Sequence, residues 1–147
     1  MGADLYITKI YKDCFSFDGT LASIRRGYFR DCYNDGGLFA FLRNNSDFKG
    51  LSWWAITDKK KEWFNRQGNM TIEGSKLFLE LIKQVKDQVY SQDRYVMEHS
   101  VFPEKQYRTE TIPLDALEVM EYKEWLECLV AFLELAIKKK STIQWSV

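Results

Sequence analysis

A single histidine, His99, serves a chain of 147 residues. That scarcity works against the commonest general acid–base and nucleophilic arrangements, which rely on imidazole beside a serine or cysteine. Cysteine is nearly as scarce. Cys14, Cys32 and Cys128 are far apart, odd in number and form no CxxC pair. They read as reduced thiols of a cytoplasmic protein rather than a disulfide framework. A tetrahedral zinc site would need nearly all of these residues together with His99, so no metal and no other cofactor is expected. Net charge is absent too, because 21 basic residues balance 21 acidic ones. Neither nucleic acid nor an anionic membrane would feel a long-range pull from the chain as a whole. No window approaches the roughly 18 consecutive apolar residues of a membrane span. The opening Met1-Gly2-Ala3-Asp4-Leu5-Tyr6 has no basic segment before an apolar run, and so does not read as a signal peptide.

Aromatic residues are abundant. Five Trp, eight Tyr and ten Phe make up 16% of the chain, enough to dominate a core and still supply an interface. Hydrophobic content is 46% and charged content 29%, the balance of a folded globular protein. The length suits one domain over 1–147.

Periodicity predicts an α+β, mostly α-helical fold. Several helices surround a core, with a small sheet pairing the N- and C-terminal strands. Ala3 to Ile10 alternates, with Ala3, Leu5 and Ile7 on one side. Thr142 to Val147 alternates too, with Ile143, Trp145 and Val147 on one side. Each strand needs a partner for its backbone, and they are expected to pair with each other. Leu21, Ile24 and Tyr28 predict a helix from Thr20 to about Asp31, with Asp18 as its cap. Asn34-Asp35-Gly36-Gly37 is a turn signal. A short helix over Leu38–Leu42, a loop over Arg43–Asp47 and a buried Leu51–Ile56 follow, and Asp58 is placed to cap a short helix carrying Trp63 and Phe64. Thr71 opens an amphipathic helix running to about Val89, its stripe made by Phe78, Leu81, Ile82, Val85 and Val89. Tyr90–Pro113 is polar and broken by Pro103 and Pro113; Lys105–Thr111 reads as an edge strand or extended loop. Asp115 and Glu118 resemble a capping box for the last helix, whose wide stripe runs from Val119 to Ile137. Lys138-Lys139-Lys140 stands at its C-terminal end, where cations oppose the helix dipole favourably. Lys59-Lys60-Lys61 reads as a solvated face.

Phe15-Ser16-Phe17-Asp18-Gly19-Thr20-Leu21 resembles the first motif of haloacid dehalogenase-like phosphatases, Asp-x-Asp-Gly-Thr. In that family the first Asp is the nucleophile. Here Ser16 stands in its place, and phosphatase chemistry loses its attacking group.

The densest mixture of aromatic, charged and turn residues lies between Gly27 and Trp54. Tyr28, Arg30, Asp31, Tyr33, Asn34, Asp35, Trp53 and Trp54 are the candidate binding residues; no catalytic residue is assigned. Arg30 offers a planar fork for carboxylate or phosphate, the aspartates orient it or accept hydrogen bonds, and the rings stack on a planar ligand or anchor a protein. The same residues also suit a purely internal network, with Arg30 paired to Asp31, Asp35 or Asp4 and the Trp pair in the core.

Gly2–Ile7, Gly27–Asn34 and Leu51–Trp54 together resemble a family of uncharacterised bacterial proteins. Its members share similar GADLYI, GYFRDxYN and LSWW segments and end in a helix and a short strand. This chain has a shorter segment between the opening strand and Gly27. The resemblance covers most of the chain and implies a bacterial origin, with no activity attached.

Three functions from different classes fit. The first is a non-catalytic domain that binds another protein through an aromatic-rich face. It requires an exposed apolar patch containing one of the Trp residues. The alternative is a small enzyme or small-ligand-binding domain built on Arg30, Asp31, Asp35, Trp53 and Trp54, which requires those side chains to converge on a concavity. The third is nucleic-acid binding by Arg25, Arg26, Lys59–Lys61 and Lys138–Lys140 gathered on one face. They are ranked in that order.

Overall fold

The computed structural model describes residues 3–12, 21–31, 37–86, 91–99, 106–113 and 116–147, with side chains for 3–12, 23–31, 37–53, 55–85, 117 and 119–147. The fold is α+β and mostly helical. In chain order the elements are β1 (Ala3–Ile7), α1 (Leu21–Arg25), β2 (Tyr28–Asp31), α2 (Leu38–Asn44), α3 (Trp53–Lys59), a 3₁₀ turn (Lys61–Trp63), α4 (Ile72–Lys86), β3 (Ser91–His99), β4 (Gln106–Pro113), α5 (Ala116–Lys138) and β5 (Ile143–Ser146).

The terminal strands do pair. β1 is the central strand of an antiparallel sheet ordered β2-β1-β5, with Leu5 opposite both Phe29 and Trp145. Alternation sends Ala3, Leu5 and Ile7 inward, all at 0% exposure, and Asp4, Tyr6 and Thr8 outward. The inner face meets α5, where Leu126, Leu129, Phe132, Leu133 and Ala136 are fully buried, and the rings of Phe29 and Phe132 sit 5.9 Å apart. α4 completes this core with Phe78, Leu79, Ile82 and Val85; Leu81 is only half-buried, and Val89 lies outside the described residues. Each such side chain is worth about 1.5–3 kcal/mol of transfer free energy.

Three local expectations are corrected. The helix from Thr20 stops at Arg25 instead of running to Asp31. Gly27, at φ +83°, ends it in the left-handed conformation, and a Cβ there would come within 2.7 Å of the Ile10 side chain. Gly27 accepts the Ile7 N–H at 2.8 Å, Phe29 and Asp31 then stand at the bonded positions of the ladder to β1, and this pairing outweighs the helical spacing of Leu21, Ile24 and Tyr28. Tyr90–Pro113 contains an antiparallel ribbon, β3 with β4, rather than only an edge strand or loop, and Arg94 stands opposite Glu110 in its register. Asp58 caps nothing: it lies inside α3, and the 3₁₀ turn has no side-chain cap. The expected caps Asp18 and Asp115 lie outside the described residues. Thr71 does cap α4, its hydroxyl accepting from the Gly74 N–H at 2.9 Å.

Among the described residues no helix is long and apolar enough to cross a membrane.

Candidate functional site

β2 separates two neighbours that the sequence suggested might meet. Asp31 turns inward, 4% exposed, and its carboxylate accepts the N–H groups of Leu38 at 3.0 Å and Phe39 at 2.8 Å. These are the first two amides of α2, whose preceding residue Gly37 has no side chain to cap them. Trp53 performs a parallel task. It is 4% exposed, and its indole N–H donates to the Phe39 carbonyl at 2.8 Å. Asp31 and Trp53 therefore fix the two faces of one short helix.

Arg30 leaves the opposite side of the strand, exposed, with its Nε 3.7 Å from the Asp4 carboxylate. Tyr28 donates its hydroxyl to the same Asp4 oxygen at 2.7 Å. Around that bond the rings of Tyr6 and Tyr28 stack at 5.0 Å, and Tyr11 lies 4.5 Å from Tyr6. Burial, then the hydrogen bond to Asp4 and its negative charge, push the Tyr28 hydroxyl far above the ordinary tyrosine value. Tyr6 is raised as well, by burial first and Asp4 second. The outer face of the sheet thus holds a closed tyrosine cluster with its charges already paired. Tyr33, Asn34, Asp35 and the Trp54 side chain lie outside the described residues. Cys128, half-buried on α5, has its thiol raised by burial and by Glu127 and Glu124, the reverse of what an attacking thiolate needs.

A concavity opens elsewhere, at the other edge of the sheet. A cleft of about 600 Å³ runs between the C-terminal end of α3, the 3₁₀ turn, the 64–68 segment and β5. Lys61, Arg66 and Asp58 line it, with Phe64, Trp145 and Val147 as its apolar wall. Its size falls within the range of ligand-binding pockets.

The walls are built from below. Gly74 lets α4 press its backbone onto Trp63, where any Cβ would collide with the Trp63 carbonyl. That carbonyl accepts the Thr71 N–H at 2.9 Å, locking the 3₁₀ turn to the start of α4. Between them, Asn65 closes a tight turn, its side-chain oxygen accepting from the Gln67 and Asn69 amides at 3.0 Å each. Met70 then joins β5: Met70 N–H donates to the Ile143 carbonyl at 2.8 Å, and the Ile143 N–H returns the bond at 2.9 Å. Behind the cleft, Trp145 packs edge-on against Phe64 at 5.4 Å and Phe39 at 5.6 Å, and beside Phe78 at 5.8 Å.

Three polar side chains here lack a partner among the described residues. Lys61 and Arg66 are exposed, and neither has an acidic partner among the described residues. The indole N–H of Trp145 is buried and donates to no acceptor among them. An orphaned buried donor costs about 1–3 kcal/mol. Sequence reasoning passed over this site. It read Lys59–Lys61 as a solvated face and Trp145 as one position in a terminal strand. The one available signal was the Gln67-Gly68-Asn69 break shortly after Trp63-Phe64.

No protein-family model matches the chain, nor does any curated protein or solved structure.

Proposed function

We propose that the chain is a non-catalytic binding domain that engages another protein, and that the cleft beside β5 is where it does so. One observation carries this reading. The cleft gathers two cations without an acidic partner among the described residues and an apolar wall that includes Trp145, whereas Tyr28, Asp31 and Trp53 each have a hydrogen-bond partner of their own. Arg66 and Lys61 suit a carboxylate, Arg as a fork and Lys as a point charge. Phe64 and Trp145 supply the apolar area on which an anchor residue could rest.

The test uses N-acetylglutamate, the smallest probe with both a peptide amide and a side-chain carboxylate. Five tryptophans give five indole N–H resonances, and Trp145→Phe assigns the one that matters. Millimolar probe is expected to move the Trp145 indole resonance while leaving that of Trp53 in place. The combined change Lys61→Ala and Arg66→Ala should weaken the response at least tenfold, with circular dichroism unchanged. A Trp145 resonance that stays fixed at saturating solubility of the probe sinks the reading.

A further inference from the structure

The cleft has a second property that side chains do not reveal. In an antiparallel pair, alternate residues aim their backbone N–H and C=O at the neighbour and the rest aim theirs away. The Thr8 N–H donates to the Thr142 carbonyl at 3.0 Å, which sets the parity of the β1–β5 ladder. Thr142, Gln144 and Ser146 face β1; Ile143 and Trp145 face the outer edge. Ile143 confirms the assignment, because its outward N–H and C=O are both taken by Met70.

Two residues further on, the same edge has no backbone partner among the described residues. Continuing the Met70–Ile143 bridge would place Gly68 opposite Trp145. Gly68 cannot serve, because its N–H is turned back to the Asn65 carbonyl at 3.0 Å and its φ of +79° carries the chain into the Asn65–Asn69 turn. Among the described residues no loop or bridge hydrogen bond reaches the Trp145 backbone. The gap between the departing turn and the Trp145 edge belongs to the cleft, with Gly68, Asn65, Trp145 and Val147 on its walls.

We infer that this edge accepts an extended, acidic peptide segment of a partner protein as an added strand, one residue of which takes at Trp145 the place that Met70 takes at Ile143. The inference rests on the binding reading above and names the mode and the chemistry of the partner. Open strand edges are natural templates for such pairing, the main chain supplying affinity and flanking side chains the selectivity. Charge selects the occupant. Lys61 and Arg66 outnumber Asp58 in the cleft, so acidic side chains on the incoming strand are favoured and basic ones opposed. Within β5 (Ile143–Ser146) only Trp145 aims its backbone at this edge beyond the Met70 bridge, so the added strand bonds through one or two residues and affinity roughly in the micromolar to millimolar range is expected.

The probe is a blocked hexapeptide of alternating valine and glutamate, compared with the same peptide N-methylated at its central residues and with a valine–lysine version. Amide hydrogen exchange of the full chain reads the edge directly. In the free protein the Trp145 amide should exchange at least tenfold faster than those of Ile143 and Gln144. Saturation with the valine–glutamate peptide should slow it at least tenfold. N-methylation should abolish that protection, and lysine in place of glutamate should weaken binding at least tenfold. A Trp145 amide as protected as Ile143 in the free protein overturns the inference. So does equal binding of the N-methylated peptide, or failure of the hexapeptide to bind at millimolar concentration. In those cases a response to N-acetylglutamate would leave the cleft reading standing, and its absence would remove both.

Discussion

The corner where β2 meets α2 and the edge where β5 meets the 64–68 turn both combine tryptophan with charge. At the corner these described groups have partners: Trp53 with the Phe39 carbonyl, Asp31 with two amides, Tyr28 and Arg30 with Asp4. At the edge, Trp145, Lys61 and Arg66 have none among the described residues. A satisfied cluster contributes stability, while an unsatisfied one is sustained by the surrounding fold and stays available to a ligand. Substitutions should therefore affect stability at the corner and binding at the edge.

The largest effect is expected from Asp31→Ala. It strips two buried N–H groups of a charged acceptor at once, and each orphan costs about 1–3 kcal/mol. A loss of about 3 kcal/mol in urea denaturation is expected, with α2 disordered first in hydrogen exchange. A loss below about 1 kcal/mol would mean that water reaches those amides and that the corner is less closed than its burial indicates. Next comes Gly74→Ala. Alanine is the better helix former by about 1 kcal/mol, so an isolated α4 would gain. In the folded chain the new methyl strikes the Trp63 carbonyl, and overpacking of this kind costs about 1–3 kcal/mol. We expect a net loss of about 2 kcal/mol and a weakened N-acetylglutamate response, because the 3₁₀ turn that carries Lys61 must shift. A stabilised variant would show that α4 and the turn can separate freely.

The two tryptophans give the most direct contrast. Trp53→Phe removes packing and also leaves the Phe39 carbonyl without its donor, for about 2 kcal/mol in all. Trp145→Phe removes similar packing from a less buried site, but it also deletes a donor that had no acceptor. The second gain offsets part of the loss, and the cost should stay below about 1 kcal/mol. Thermal or urea unfolding of the two variants under one set of conditions decides it; equal costs would show that the Trp145 indole is hydrogen-bonded in solution.

Much of the fold could be read from the chain because its core elements carry strong periods. The alternation of Ala3, Leu5 and Ile7 and of Ile143 and Trp145 marked the terminal pair, and the stripes of α4 and α5 marked the helical layer. β2 was missed because four residues hold no period, and only Gly27 announced the break. The β3–β4 ribbon was missed because its polar residues lack the clean apolar alternation of a half-buried strand. The cleft was illegible for a different reason. It is made by Thr57–Gly68 meeting Trp145 and Val147 across the sheet edge, a proximity created by the Met70 bridge and not by spacing. Candidate residues chosen by local density led to the corner, where Asp31 and Trp53 both bond the backbone of α2.

The last expected effect, a change of slope with pH, concerns Tyr28, and it separates closure of the corner from mere contact. Below pH 10, Tyr28→Phe loses one hydrogen bond to Asp4, worth about 1 kcal/mol. Above that pH the sign of linkage matters. The folded chain holds the Tyr28 proton well above the ordinary value of 10, while the unfolded chain releases it near 10. The unfolded state then binds fewer protons than the native state, so stability falls as pH rises from 10 upward. Phenylalanine has no proton to lose. The stability curve of Tyr28→Phe should therefore decline less steeply above pH 10, narrowing its deficit against the parent, with some slope left because Tyr6 is raised as well. Urea unfolding at intervals from pH 8 to about pH 11, with tyrosinate absorbance followed in parallel, measures both terms. Parallel curves would mean that Tyr28 ionises in the fold as readily as in the open chain. The tyrosine cluster would then be a wet surface, and the contrast between a closed corner and an open edge would rest on Asp31 and Trp53 alone.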